Sequence, residues 1–308
     1  MKKLILGIMV LLSSLVADEY LAIVDFSGGI DKYNLTTNEI TNNACCNNID
    51  YGHAYDAIRI GGKMYMCTEN QIHVVDLKYF RSELNISKMD FQGVYDIDGN
   101  ETDLIIPDYT ANKIYRMDLS TKESTLLIDK IENISAAWLS ADSSQLYVIN
   151  GLNNIVSIYS PSTGDLISPN VATLNSYVYK NGYFMNAVVN NDRSKVYLTT
   201  TKNNNTTSVI TLDIPSMKVE GGMRPICSSN SFPAIGITTG NGNQYAVCSS
   251  TGIRELSSNE SVSTLLSAQI KNAGPLVYYT DENIQKQSVI MTQTHKKRTS
   301  YRKNGRKR

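Results

Sequence analysis

The chain reads as all-β: a β-propeller of four-stranded antiparallel blades, seven blades favoured over six, with an incomplete terminal blade. Three observations predict this. A Tyr-centred strand returns roughly every 40–50 residues, the period of a propeller blade. Most returns are followed by a second strand alternating apolar and polar residues, then by a turn rich in Ser, Thr, Asn, Lys or Gly, as half-buried strands joined by hairpins require. No apolar pattern of helical period runs long enough to compete.

Taken in order, the opening MKKLILGIMVLLSSLVA has a basic start, an apolar run and a small residue at Ala17. That is the layout of a secretory signal peptide cleaved before Asp18. The run Leu4 to Val16 is short for a bilayer span, which places an uncleaved anchor second. The expected division is residues 1–17 as signal peptide, 18–294 as propeller and 295–308 as a basic, disordered tail. The mature chain is expected in the periplasm or secreted, with no transmembrane segment.

First strands of the repeat centre on Ala22, Tyr65, Ile105, Tyr147, Tyr197, Tyr245 and Val289. Second strands follow at Ile72–Leu77, Lys113–Leu119, Ile155–Ser160 and Ser208–Ile214. Small apolar segments precede most units, at Ala57, Val94, Ala136, Met185, Ala234 and Leu276, and suit the crowded axis. Seven first strands against six inner strands leave the blade count open. Leu276–Thr280 closing onto the N-terminal unit would give six, with Gln287–Thr292 left over. Seven is the favoured reading.

Gln145–Ile167, QLYVINGLNNIVSIYSPSTGDLI, resembles the YVTN-type (YVTN/WD-repeat-like) β-propeller repeat. There a Tyr-Val-x-Asn strand leads through a polar turn to a Val-x-Val-x-Asp strand. Asp103–Thr125 fits as well, with Asp118 in the Asp position, and Asp76 and Asp213 stand in the same place. Ser160 replaces that Asp in the first stretch, which alters its turn chemistry. The resemblance covers Tyr20 to Thr292 and implies architecture; function lies in sites grafted onto such folds.

The five cysteines would meet an oxidising compartment if the leader is cleaved. Cys46–Cys67 and Cys227–Cys248 share one spacing and are the candidate disulfides, leaving Cys45 odd. Against their equivalence, Cys67 lies two residues after Tyr65 and Cys248 three after Tyr245, so the two point to opposite sheet faces. A strained bond between adjacent Cys45 and Cys46 is the alternative. No CxxC or CxxCH spacing supports a metal or haem, and neither a cofactor nor a metal is expected.

His53 with Asp56 and Asp96 is the one group able to converge near the axis, as a lyase or metal site would need. A hydrogen-bonded loop histidine is the plainer reading. The run Asp96–Glu101 lacks EF-hand spacing and reads as a solvated turn. Nucleophile and phosphate-loop motifs are missing from the sequence.

Acidic and basic residues balance at 29 each, yet eight of the basic ones fall in the tail His295–Arg308. The remaining body is net acidic, so nucleic acid is not an expected partner. The reading that follows is a non-enzymatic binding or scaffold module for a protein or surface glycan. Its recognition patch would lie on the loop face, built from Tyr51, His53, Asp56, Asp96, Tyr109, Asn153 and Tyr183. Two rivals remain: a propeller enzyme of lyase or hydrolase type or redox-partner subunit with a site at the channel mouth, and a cell-surface adhesin using the tail.

Overall fold

The computed structural model describes residues 17–25, 29–46, 54–86, 91–178, 184–202, 206–228, 236–248, 252–257, 262–266 and 273–281. The leader, the tail and the strand expected at Gln287–Thr292 lie outside them. Six four-stranded antiparallel sheets form the ring. Strands β1 (Glu19–Asp25), β2 (Ile30–Asn34) and β3 (Glu39–Cys45) belong to blade 1. Blade 2 is β4 (Asp56–Ile60), β5 (Lys63–Cys67), β6 (Ile72–Asp76) and β7 (Arg81–Ile86). Blade 3 is β8 (Asp98–Gly99), β9 (Asp103–Asp108), β10 (Lys113–Asp118) and β11 (Ser124–Asp129). Blade 4 runs through β12 (Ile134–Leu139), β13 (Leu146–Asn150), β14 (Ile155–Tyr159) and β15 (Leu166–Thr173). Blade 5 is β16 (Phe184–Val189), β17 (Lys195–Lys202), β18 (Thr206–Asp213) and β19 (Lys218–Ser228). Blade 6 is β20 (Gly236–Gly240), β21 (Asn243–Cys248), β22 (Gly252–Leu256) and β23 (Val262–Leu266).

The last strand, β24 (Ala273–Thr280), corrects the expected seven blades to six. It pairs with β1 in the register Tyr20↔Tyr279 and Ala22↔Val277, and so supplies the inner strand that the N-terminal unit lacks. The ring therefore has no incomplete terminal blade among the described residues. The physical reason is edge protection: pairing the two chain ends satisfies both exposed ladders at once.

The core is divided among the gaps between blades. Tyr20, Ala22, Met64 and Val75 pack between blades 1 and 2, and Tyr65, Val74, Leu104 and Met117 between blades 2 and 3. Ile105, Ile114 and Val148 fill the next gap. Trp138, Tyr147, Val196 and Ile210 fill the one after it. The last two hold Tyr197 with Ala246 and Leu256, and Leu21 with Tyr245 and Leu276. Period-2 alternation thus serves two cores at once, because both faces of every blade are covered.

Turns are set by local side chains. Asp76 Oδ1 accepts from Lys78 N and Tyr79 N, each at 2.9 Å. Asp118 Oδ1 does the same for Ser120 N at 2.7 Å and Thr121 N at 2.9 Å. Asp213 Oδ2 accepts from Ser216 N at 2.9 Å. Ser160 Oγ, standing where the repeat has Asp, takes Thr163 N at 3.2 Å. These are Asx and Ser/Thr turns that stop the third strand and start the fourth.

Candidate functional site: an axial carboxylate cluster and a tyrosine face

The innermost strands surround the axis, and three buried acids lie on or just ahead of them: Asp56 on β4, Asp98 on β8 and Asp96 two residues before β8. Asp56, Asp96 and Asp98 are 0, 2 and 4% exposed. Each accepts a backbone N–H from the next blade. Asp56 Oδ2 takes Ile97 N at 3.0 Å, Asp96 Oδ2 takes Ala137 N at 3.1 Å and Asp98 Oδ2 takes Leu139 N at 2.8 Å. Thr238 Oγ1 plays the same part for Tyr278 N at 3.2 Å, between blades 6 and 1. Inner strands of adjacent blades are not paired with each other, so these side chains satisfy N–H groups that would otherwise be buried alone.

Asp96 reaches further. Its Oδ1 accepts from Ala187 N at 3.1 Å in blade 5, so one carboxyl group fastens blades 3, 4 and 5. Across from it, the Asn186 carboxamide lies near enough to Asp56 to favour its charged form. Their geometry makes no hydrogen bond, and Asp56 Oδ1 and both Asn186 amide atoms are unpartnered.

Burial dominates the acid chemistry here. It pushes Asp56 up to about 7, against the opposing pull of the N–H groups it accepts from. It also raises Asp96 well above the carboxylate range, with the neighbouring Asp56 charge adding to the effect. The Cys67 thiol is raised by burial first, then by Asp56 and Asp96, and stays protonated at neutral pH.

The outer shell of this axis differs between its two ends. On one end, the segments entering the inner strands meet the turns between second and third strands. Tyr109 N donates to Gly93 O at 2.8 Å, and Gly151 N to Asn133 O. Three tyrosines gather there. Tyr55 and Tyr95 meet edge to face at 4.5 Å, and Tyr95 and Tyr109 at 5.8 Å. Tyr109 is 47% exposed, and Leu152, in the equivalent turn of the next blade, is 67% exposed. Asn153 beside it is also exposed.

At the other end lies a cavity of about 190 Å³ on the axis, with Arg59, Asp98, Arg193, Thr238 and Tyr278 among its walls. The Arg193 guanidinium is spent on Asp98, on Leu139 O at 3.1 Å and on Gly99 O at 3.1 Å. Gly240 packs under Tyr278, where any Cβ would fall inside the ring.

Of the residues expected on the loop face, Tyr109 and Asn153 are exposed there, in adjacent blades. Asp56 and Asp96 are not surface residues of that face; they are buried at the axis and committed to backbone. Tyr51, His53 and Tyr183 lie outside the described residues. The run Asp96–Glu101 is no solvated turn at its start, since Asp96 and Asp98 are buried; only Asn100 serves the turn, capping Thr102 N and Asp103 N at 2.9 and 2.8 Å. No group of three or more His, Cys, Asp or Glu side chains is placed to hold one metal ion among the described residues, the three axial acids included.

The expected Cys46–Cys67 bond is replaced. Cys45 is bonded to Cys46, and Cys67 is free and buried. Cys46 packs on the core between blades 1 and 2, whereas Cys67 faces the core between blades 2 and 3. The sheet of blade 2 stands between them, as the opposite phase of Cys67 and Cys248 implies. Cys227 and Cys248 share one core and are bonded, with Cα atoms 5.5 Å apart.

Sequence reasoning passed over Arg59, Tyr55, Tyr95 and Arg193. A charge within AIRI, an otherwise apolar inner strand, was the available signal for Arg59. Arg193 sits in NNDRSK, which has the composition of any exposed turn.

No family model matches the chain, and no curated protein matches it in sequence. Among solved structures, a chain of a nidogen/laminin complex matches with a TM-score of 0.61 and 10% identity, over 84% of this chain and 98% of that one. Kuenenia stuttgartiensis hydrazine synthase matches with a TM-score of 0.48 and 12% identity, over 73% of this chain and 69% of that one. The first likeness shows the fold. No helix among the described residues is long and apolar enough to cross a membrane.

Proposed function

We propose that the protein is a YVTN-type propeller, exported to the periplasm or secreted after cleavage before Asp18, that works as a binding or scaffold module for a protein partner. The observation that carries this is the Tyr55–Tyr95–Tyr109 cluster, with exposed Tyr109 at its rim and exposed Leu152 in the equivalent turn of the adjoining blade. Tyrosines braced by other rings present large contact area at little cost in side-chain entropy, which is what protein interfaces select. Edge-to-face packing, at 86° and 68°, braces the three rings against one another.

The axial acids support the same reading. Asp56, Asp96 and Asp98 are engaged in holding blades together, a structural use of the groups an axial enzyme would employ as acid and base. The structurally similar chain comes from a protein–protein complex, and what is shared with it is the fold.

The test is capture from the native host with the wild-type protein and with the Tyr109→Ala, Leu152→Asp double variant, both checked for folding by circular dichroism. Partners held by the wild type are expected to be lost from the variant. An identical set of partners on both proteins would sink the assignment, and a captured polysaccharide would replace protein by glycan. Sequencing the mature N-terminus is expected to begin at Asp18; a retained leader would contradict export by cleavage.

A further inference from the structure

We propose that the axial cavity on the face opposite the tyrosines is a second binding site, which takes a small polar organic monocarboxylate on the Arg59 guanidinium.

The argument begins with charge. Two guanidinium groups line the cavity, but only one carboxylate, Asp98, does. Arg193 consumes it, and its remaining donors go to the Leu139 and Gly99 carbonyls. Among the described residues, Arg59 has a single neutral acceptor, Gly61 O at 3.0 Å from one terminal nitrogen. Among the described residues no carboxylate stands within ion-pair distance of Arg59. The side chain is half-buried, and burial lowers its pKa from the usual arginine value. A desolvated cation without a counter-charge is costly unless something else supplies the anion.

Charge count and shape then choose the class of ligand. One uncompensated positive charge matches a monoanion, whereas a phosphate dianion would bring a second negative charge beside Asp98. A planar fork of N–H groups fits a carboxylate in bidentate fashion. The rest of the wall is polar. Thr238 Oγ1 already accepts from Tyr278 N, so its hydroxyl proton is available to a ligand oxygen. The Asn191 carboxamide lies at the exposed rim. The Tyr278 ring closes one side and is backed by Tyr245, parallel to it at 6.1 Å. The volume of about 190 Å³ equals roughly six waters of liquid, enough for a six-carbon hydroxy acid.

The experiment is isothermal titration of the full chain with D-gluconate, acetate, inorganic phosphate and glucose at constant ionic strength. Gluconate is expected to bind, acetate more weakly, and glucose and phosphate not to compete. Arg59→Gln removes the charge and the fork while leaving a shorter polar side chain; it is expected to weaken gluconate by about tenfold or more. Arg59→Lys, retaining the charge without the fork, is expected to fall between. Tyr109→Ala, on the opposite face, is expected to bind gluconate as the wild type does, which separates this site from the partner surface. Absence of gluconate binding, tighter binding of phosphate than of gluconate, equal binding of glucose, or a folded Arg59→Gln protein with wild-type affinity would each overturn the assignment.

Discussion

Asp56 and the turn aspartates act on stability in opposite directions. Asp118 and Asp142 are held at about 2, mainly by the hydroxyls of Ser120 and Ser140 respectively. A depressed acid contributes stability above its unfolded value near 4, and that contribution is lost as pH falls toward 2. Asp56, raised to about 7 by burial, contributes fully below about 4, and its contribution is lost as pH rises through 7. Thermal stability is therefore expected to peak in mildly acidic solution and to decline toward pH 8. In Asp56→Asn, which keeps an acceptor for Ile97 N, the decline above the peak should be distinctly shallower; an unchanged alkaline slope in a calorimetric pH series would refute the assignment. Asp118 was legible in the sequence as the repeat's Asp, because an Asx turn is a local event; Asp142, in a turn between other strands, was not singled out there. The depth of Asp56 was not legible, because its partner Ile97 and its neighbour Asn186 come from other blades.

Among the elements, strand placement followed from period-2 patterning: five of the six segments read as inner strands fall on or overlap β4, β12, β16, β20 and β24, while Val94–Ile97 holds an isolated bridge, Val94↔Asp108, ahead of β8. What the pattern missed was which strand belongs to which blade at the chain ends, since the pairing of β24 with β1 joins residues from opposite ends of the sequence. The same limit applied to cysteine pairing, where equal spacing suggested two equivalent bonds and the phase of Cys67 separated them. The Cys227–Cys248 bond ties β19 of blade 5 to β21 of blade 6 and closes a loop with sequence separation 21. Replacing both residues by Ser is expected to cost about 3 kcal/mol of unfolding free energy, read by urea titration. A loss below about 1 kcal/mol would show that the core between these blades holds them without the crosslink.

At the scale of the whole molecule, the ends of the ring are neighbours. Asp281 N donates to Asp18 O at 3.4 Å, so a short linker can join them. A circular permutant with new ends between Asn241 and Gly242 would start on β21 and finish on β20, restoring in blade 6 the closure that β1 and β24 make in blade 1. It is expected to keep the wild-type circular dichroism spectrum and a single cooperative transition; a permutant lacking native sheet signal would show that closure depends on the particular residues of blade 1. The carboxyl group of Asp96 matters at this scale too. It touches blades 4 and 5 from blade 3, while Asp56 and Asn186 face each other from blades 2 and 5. At that depth four of the six blades are cross-braced through their side chains, and a ligand seated beside Arg59 would lie against Asp98, one of the groups that hold neighbouring blades together.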